Sequence, residues 1–146
     1  MGSTLEQDLV NAFIEKIKKC ANSEGVSCSF TQLETGATAI GVPDLLMFLG
    51  PDLFWIECKR TKVHAYNKNS GMYIGEIKFR PGQVRFLKKL YNAKEKAFVL
   101  VLTEYLDVII IPIFKIPDTV GAVYKFKERG VDYTSAYEYM KEIIKE

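Results

Sequence analysis

Residues 41–59 read Gly-Val-Pro-Asp-Leu-Leu-Met-Phe-Leu-Gly-Pro-Asp-Leu-Phe-Trp-Ile-Glu-Cys-Lys, two apolar runs joined by a Gly-Pro-Asp turn. Short apolar runs that are broken by turn residues are typical of paired β-strands. The stretch therefore predicts a β-hairpin, with Asp44 near the start of the first strand and Glu57 near the end of the second.

Other elements can be placed on either side of this hairpin. Apolar residues recur at helical spacing behind Thr4, a residue suited to capping a helix, and a strand pattern follows at 26–33. After the hairpin, the spacing predicts a helix from Pro81, strands at 97–103 and 108–114, and a C-terminal helix within 130–146. Residues 61–79 are polar and contain Gly and Asn, which predicts a flexible basic loop.

This order of elements, αβββαββ with a terminal helix, indicates an α/β protein built around one mixed sheet flanked by helices. The length of 146 residues suits a single domain spanning 1–146. The three cysteines are odd in number and form no Cys-x-x-Cys pair, which favours a reducing, cytoplasmic location. No secretory leader is recognisable, and the longest apolar runs, such as 108–114, are too short to span a membrane.

Charge is distributed unevenly along the chain, although the formal net charge is only +2. Residues 59–96 contain eleven Lys or Arg against two acids, whereas residues 1–58 sum to −5 and residues 97–146 to −2. A basic segment in an otherwise acidic chain is what a protein that binds a phosphate backbone needs. A solvated, lysine-rich helix face would explain the same segment.

Asp44 and Glu57 lie beside strongly apolar strand residues, where an unpaired charge is costly. In the predicted hairpin both carboxylates and the backbone carbonyl of Cys58 can converge on one hard cation, for which magnesium is the natural candidate. Lys59 shares the strand face of Glu57, because side chains alternate along a strand. Alternatively, Asp44 is a turn residue, and Glu57 and Lys59 are an exposed strand pair.

The motif Pro43-Asp44, a twelve-residue gap and then Glu57-Cys58-Lys59 resembles the PD-(D/E)xK signature of restriction-endonuclease-like nucleases. Together with Arg80-Pro81-Gly82-Gln83 at the start of a helix, it is similar to the virus-type replication-repair nuclease domains, and in plan to archaeal Holliday-junction resolvases. The resemblance covers roughly residues 4–115. It implies an α-β-β-β-α-β core with a mixed central sheet, and suggests a phage or mobile-element source, with location in the host cytoplasm.

The resemblance also assigns roles to individual residues. Asp44 and Glu57 would bind the metal, Lys59 would be the catalytic lysine, and Gln83 would be the catalytic glutamine of the following helix. Glu6 would match an acidic metal ligand of the first helix, although Asp8 or Glu15 could be matched in its place. Cys58 stands where the family often has an apolar residue, so its side chain should point into the core.

These features together predict a magnesium-dependent endonuclease, with manganese as a substitute and no small-molecule cofactor, that cuts branched DNA such as Holliday junctions as a homodimer. Its role would lie in replication, repair or recombination. Two alternatives stay open: a non-catalytic nucleic-acid-binding module with a nuclease fold, and a sequence-specific restriction endonuclease. The residues predicted to contact nucleic-acid phosphates are Arg60, Lys62, Lys68, Lys78, Arg80 and Arg85.

Overall fold

The computed structural model describes residues 2–33, 43–60, 63–67, 71–103, 105, 107–117 and 123–145, with backbone alone at 2–6, 63–67 and 144–145. The helices are α1 (Gly2–Ser23), α2 (Gln83–Asn92) and α3 (Tyr133–Lys145), and a short 3-10 turn occupies Ile113–Lys115. The strands are β1 (Cys28–Gln32), β2 (Leu45–Leu49), β3 (Asp52–Arg60), β4 (Val63–Asn67), β5 (Met72–Lys78), β6 (Lys96–Leu102), β7 (Val108–Pro112) and β8 (Val123–Arg129).

The predicted hairpin forms the centre of a five-stranded sheet with the order β1-β2-β3-β6-β7. Strands β3 and β6 are parallel and all other neighbours are antiparallel, so the sheet is mixed. Residues 98–102 of β6 are all buried, as expected for a central strand covered on both faces. The predicted α-β-β-β-α-β core and its mixed sheet are confirmed.

Two hydrophobic cores lie on opposite faces of this sheet. Alternation along β6 shows the division: Phe98 and Leu100 belong to the first core, and Val99 to the second. Helices α1 and α3 cover the first face, with Phe13 and Tyr137 fully buried there. The second face is covered by α2 together with residues of β5 and β8. Since the Cys58 side chain lies in the first core, the prediction that it points inward is confirmed.

A second sheet, with the order β4-β5-β8, was not predicted. It corrects the expectation of a flexible loop at 61–79, because β4 and β5 occupy most of that segment. The outward face of β5 has apolar and charged residues, Met72, Ile74, Glu76 and Lys78, but Ile77 on the other face is buried in the second core together with Phe126 of β8. Pairing with β8 places Phe126 beside Ile77, so residues 61–79 acquire a buried apolar face that their own sequence does not provide.

Tyr73, Thr103 and Asp107 connect this small sheet to the central one. The Tyr73 hydroxyl donates to the Asp107 carboxylate over 2.8 Å, and Thr103, at the end of β6, donates to the same carboxylate. The Tyr73 ring stacks on Tyr105 at a centroid distance of 6.0 Å. Burial and the neighbouring Asp107 carboxylate raise the pKa of Tyr73 to about 12, so its hydroxyl stays a donor. The small sheet is thereby fixed to the C-terminal end of β6.

Two further observations concern the whole described chain. The three cysteines are all described, and none of them forms a disulfide with another. In the part of the chain that the structure describes, no helix combines the length and the apolar character needed to cross a membrane.

Candidate active site

Pairing of β2 with β3 sets the positions of the two carboxylates. Leu45 lies opposite Ile56, so Asp44 and Glu57 are the next residues outward at the same end of the hairpin. The backbone carbonyl of Asp44 accepts a hydrogen bond of 2.8 Å from the Leu33 N–H, which fixes its backbone beside β1. Its carboxylate oxygen Oδ2 accepts a hydrogen bond of 3.0 Å from the Cys58 N–H. The hairpin therefore brings the two predicted metal ligands together.

Glu57 is a buried carboxylate, with only 2% of its surface exposed. Its Oε2 accepts a hydrogen bond of 3.0 Å from Gln83 Nε2 and lies 3.4 Å from the Lys59 ammonium. Its Oε1 is buried and has no hydrogen-bond partner among the described residues. Burial and repulsion from Asp44 raise the pKa of Glu57 to about 8, against the opposing effect of Lys59.

Asp44 has a similar but milder environment. Burial raises the pKa of its carboxyl group, while the hydrogen bond from the Cys58 N–H and the positive charge of Lys59 act in the opposite direction. The charged form of both carboxylates is disfavoured, and the two groups are close enough to repel each other. A bound cation would therefore stabilise this site.

Gln83 joins the hairpin to the second helix. It is fully buried at the first residue of α2, and its Oε1 accepts hydrogen bonds from Lys59 Nζ at 2.8 Å and from the Arg80 N–H at 2.7 Å. The chain can turn into the helix here because Gly82 has a φ of 87°, which favours glycine. Lys59 Nζ also lies 5.1 Å from the centroid of the Phe79 ring. Its ammonium group is thus held between Glu57, Gln83 and an aromatic face.

The structure places these residues on one face of β3. Phe54, Ile56 and Cys58 belong to the first core, so Glu57 and Lys59 point to the opposite face, where α2 lies. A cleft of about 200 Å³ opens beside them and is lined by Lys59, Arg60, Glu76, Ile77 and Lys78. The cleft therefore reaches Lys59 from the side that the small sheet occupies.

Four of the residues predicted to contact nucleic acid are exposed in this region. Arg60 and Lys78 line the cleft, Arg80 follows β5, and Arg85 lies on α2. Lys62 and Lys68 lie outside the described residues. Glu6 lies in α1, but only its backbone is described. The structure therefore does not place the Glu6 side chain relative to Asp44 or Glu57.

The described residues contain no cluster of three or more His, Cys, Asp or Glu side chains that could hold a metal ion. Asp44 and Glu57 supply two carboxylates, which is enough for a hard cation only if backbone carbonyls, water or substrate oxygens complete the coordination. The unpartnered Oε1 of Glu57 fits this arrangement, because it is a buried acceptor without a donor.

One set of charged residues was missed by sequence reasoning. Lys125, Lys127 and Arg129 alternate with Tyr124, Phe126 and Glu128 along β8, and all three basic side chains are exposed. The segment 97–146 is acidic overall, which concealed a basic row within it. The signal that could have found it is the alternation of aromatic with basic residues at 124–127.

No protein-family model matches this sequence, and no curated protein matches it either. Among solved structures, the chain is similar to Hjc, a Holliday junction resolvase of the archaeal hyperthermophile Archaeoglobus fulgidus, with 12% identity and a TM-score of 0.60. That match covers 90% of this chain and 98% of the resolvase. A bacterial homing endonuclease matches with 13% identity and a TM-score of 0.42, covering 90% of this chain and 87% of the other. The likeness to the resolvase shows a shared fold, an α/β core with a mixed central sheet flanked by helices.

Proposed function

We propose that this chain is a metal-dependent endonuclease that hydrolyses phosphodiester bonds in DNA. The observation that carries the proposal is the surroundings of Glu57, a buried carboxylate with one unpartnered oxygen, a second carboxylate beside it and an ammonium group 3.4 Å away. A buried like-charge pair of this kind destabilises the fold unless a proton or a cation compensates it. The fold that the chain shares with a junction resolvase supports nuclease chemistry.

Asp44 and Glu57 are the side chains that would hold Mg²⁺, with Mn²⁺ as a substitute, and the backbone carbonyl of Cys58 would be the third protein ligand. When bound, such a cation offsets the charge that develops on the phosphate and favours attack by water. The Cys58 N–H fixes the orientation of the Asp44 carboxylate through the hydrogen bond of 3.0 Å. Gln83 fixes that of Glu57 in the same way over 3.0 Å.

Lys59 supplies the positive charge that this chain brings to the reaction. Its ammonium group can orient the attacking water and stabilise negative charge on the phosphate as it develops. Gln83 accepts a hydrogen bond from this ammonium over 2.8 Å and so holds it next to Glu57. In this proposal Lys59 acts on the substrate, whereas Gln83, to which the motif resemblance assigned a catalytic role, acts by positioning Lys59 and Glu57.

The substrate we propose is branched DNA, and the cutting selective for structure rather than sequence. A chain of 146 residues offers few elements for reading base edges, and exposed basic side chains near the cleft suit recognition of the backbone. A four-way junction has two strands to cut, so a homodimer would present one active site to each. The likeness to a resolvase fold supports this substrate class.

The test is cleavage of labelled four-way junction, splayed, single-stranded and linear duplex DNA, with either Mg²⁺ or EDTA. Wild type is compared with Glu57→Gln, which preserves side-chain volume, and with Glu138→Gln, a matched control on the exposed face of α3. We expect Mg²⁺-dependent cutting that Glu57→Gln lowers by about 10²-fold or more and that the control leaves unchanged. The order of the substrates then identifies the preferred structure.

Each alternative function gives a distinct result in the same assay. DNA binding without any Mg²⁺-dependent product would overturn the proposal in favour of a non-catalytic binding module. Discrete fragments from a linear plasmid would identify a sequence-specific restriction endonuclease. Cutting that survives in Glu57→Gln at the wild-type rate would show that the active site lies elsewhere.

A further inference from the structure

The small sheet has one face that packs on the second core and one that faces solvent. On β8, Tyr124 and Phe126 point inward, and Phe126 is buried in the second core. The alternate residues Lys125, Lys127 and Arg129 are all exposed on the outward face. Three basic side chains therefore form a straight row on one strand, with none of the acids of the 97–146 segment among them.

Residues of β5 complete the outward face. Residues directly opposite each other in an antiparallel pair share a face, which places Met72 opposite Arg129, Ile74 opposite Lys127, Glu76 opposite Lys125 and Lys78 opposite Val123. The part of this face that β5 and β8 supply thus has four basic side chains and one acidic side chain, Glu76. We call it the basic sheet face. It also has two partly exposed aliphatic side chains, Ile74 and Val123, each 37% exposed.

The basic sheet face is continuous with the candidate active site. Strand β5 ends at Lys78, and Arg80 follows, the residue whose N–H donates to Gln83. Glu76 and Lys78 line the cleft of about 200 Å³ together with Lys59 and Arg60. A strand of nucleic acid whose scissile phosphate lies at Glu57 could therefore continue over this face without a break.

The spacing of the row suits phosphates. Alternate residues on a strand are about 6.8 Å apart, close to the distance between neighbouring phosphates along one nucleic-acid backbone, so the three side chains can each contact one of three successive phosphates. An edge strand such as β8 also uses charge to prevent strand pairing between molecules, but that purpose is served by charge of either sign. A surplus of positive charge that leads to the cleft, here four basic side chains against one acid, is what a phosphate backbone requires.

We propose that the basic sheet face, centred on Lys125, Lys127 and Arg129, binds the backbone of the DNA duplex arm that leads away from the cut. This inference rests on the proposed function, since it assigns the surface that holds the substrate of that same site. The surface adds to the residues near the hairpin and helix α2 that the sequence predicted, and it lies on a sheet that the sequence pattern did not reveal.

The experiment measures duplex affinity in a cleavage-deficient Glu57→Gln background, between about 50 and about 200 mM salt. The triple variant Lys125→Gln/Lys127→Gln/Arg129→Gln is compared with Lys16→Gln/Lys18→Gln/Lys19→Gln, which removes the same charge from exposed positions of α1 on the opposite face of the central sheet. If each basic residue contacts one phosphate, the slope of log Kd against log salt should fall by about 2.7 in the first variant. The control should retain the parent slope and affinity.

Thermal unfolding of both triple variants checks that neither exposed set alters the fold. In the Glu57-containing enzyme we expect the β8 variant to raise the KM for duplex-armed substrate and to leave kcat unchanged. Equal losses in both triple variants would overturn the inference, because overall charge would then explain them. If the wild type cuts DNA and the β8 variant binds duplex as tightly as the parent, the inference is overturned and the proposed function stands. A wild type that neither binds nor cuts DNA would overturn the proposed function, and the inference with it.

Discussion

Glu57 determines the electrostatics of the site, because its proton is held more tightly in the folded chain than in the unfolded one. Burial and Asp44 raise the pKa of Glu57 from 4.5 to about 8, although Lys59 and Arg80 oppose the shift. Between these two values the folded protein retains a proton that the unfolded chain has released. Without metal, the stability of the fold should therefore fall as pH rises from about 4.5 to about 8, and then level off.

Glu57→Gln should remove this pH dependence, because the amide keeps the size of the side chain and cannot ionise. Since a tenfold change in proton affinity corresponds to about 1.4 kcal/mol, we expect the variant to be more stable than wild type at pH 8 by at least about 2 kcal/mol. The difference should shrink toward pH 5. Denaturant unfolding in EDTA across this range measures it, and parallel curves for the two proteins would contradict the assigned environment of Glu57.

Gln83 satisfies three partners at once, accepting from Lys59 and the Arg80 N–H and donating to Glu57. Gln83→Leu keeps a side chain of similar size but leaves these groups without it, and each unsatisfied buried group costs about 1–3 kcal/mol. We expect a loss of stability of about 3 kcal/mol and at least about a tenfold loss of cleavage. Asn92→Leu, at the exposed end of α2, is the matched control and should change neither.

A double-mutant cycle distinguishes positioning from a purely structural effect. If Gln83 acts on cleavage by holding Lys59, the two substitutions Gln83→Leu and Lys59→Met should be strongly non-additive in kcat. Gln83→Leu should then lower kcat in the wild-type background and have little further effect beside Lys59→Met. Additive losses in kcat would show that Gln83 affects the reaction by another route.

At the level of elements, the sequence predicted the strands that bury an apolar run and the helices that bury one apolar face. Local pattern predicts strand β3, the register that sets Asp44 beside Glu57, and helix α2, which begins two residues after Pro81. Strands β5 and β8 were not predicted, because each is half polar and acquires a buried face only by pairing with the other and packing on the second core. The hydrogen bonds of Gln83 to Lys59 and Glu57 likewise join residues more than twenty positions apart, which no local pattern encodes.

The attachment of the small sheet can be tested at Gly130, directly after β8. A Cβ at this position would lie 2.5 Å from the Tyr73 ring and 2.7 Å from the Asp107 carboxylate, closer than real contacts allow. Gly130→Ala should displace the Tyr73 ring and its hydrogen bond to Asp107, at a cost of about 1–3 kcal/mol. Arg129→Ala, the exposed neighbouring change, should alter stability by no more than about 0.5 kcal/mol.

Amide hydrogen exchange shows where Gly130→Ala acts. Protection should fall in β5 and β8 more than in β3 and β6, since the affected contacts join the small sheet to the end of β6. A variant that is as stable as wild type, or one that loosens both sheets equally, would contradict the role we assign to Tyr73 and Asp107.

The whole molecule has two unlike sides. Helices α1 and α3 close one face of the central sheet, where Tyr137 and Lys141 both bind Glu24 at the end of α1. The other face has the site at Glu57, with α2 on one side and the basic sheet face beyond the cleft. The proposed DNA substrate would therefore approach from the α2 side, and the second copy in the proposed homodimer would have to leave that side open.

Each described chain has one site at Glu57, whereas a four-way junction must be cut on two strands to be resolved. We therefore expect a two-fold homodimer, measured as twice the chain mass in sedimentation, with one site for each strand. Mixing wild type with excess Asp44→Ala should yield dimers that hold a single working site. On a cruciform plasmid, wild type should give linear product and the mixed dimers nicked circles. A monomer in sedimentation, or linear product at an undiminished rate from the mixture, would mean that both incisions come from one site acting twice.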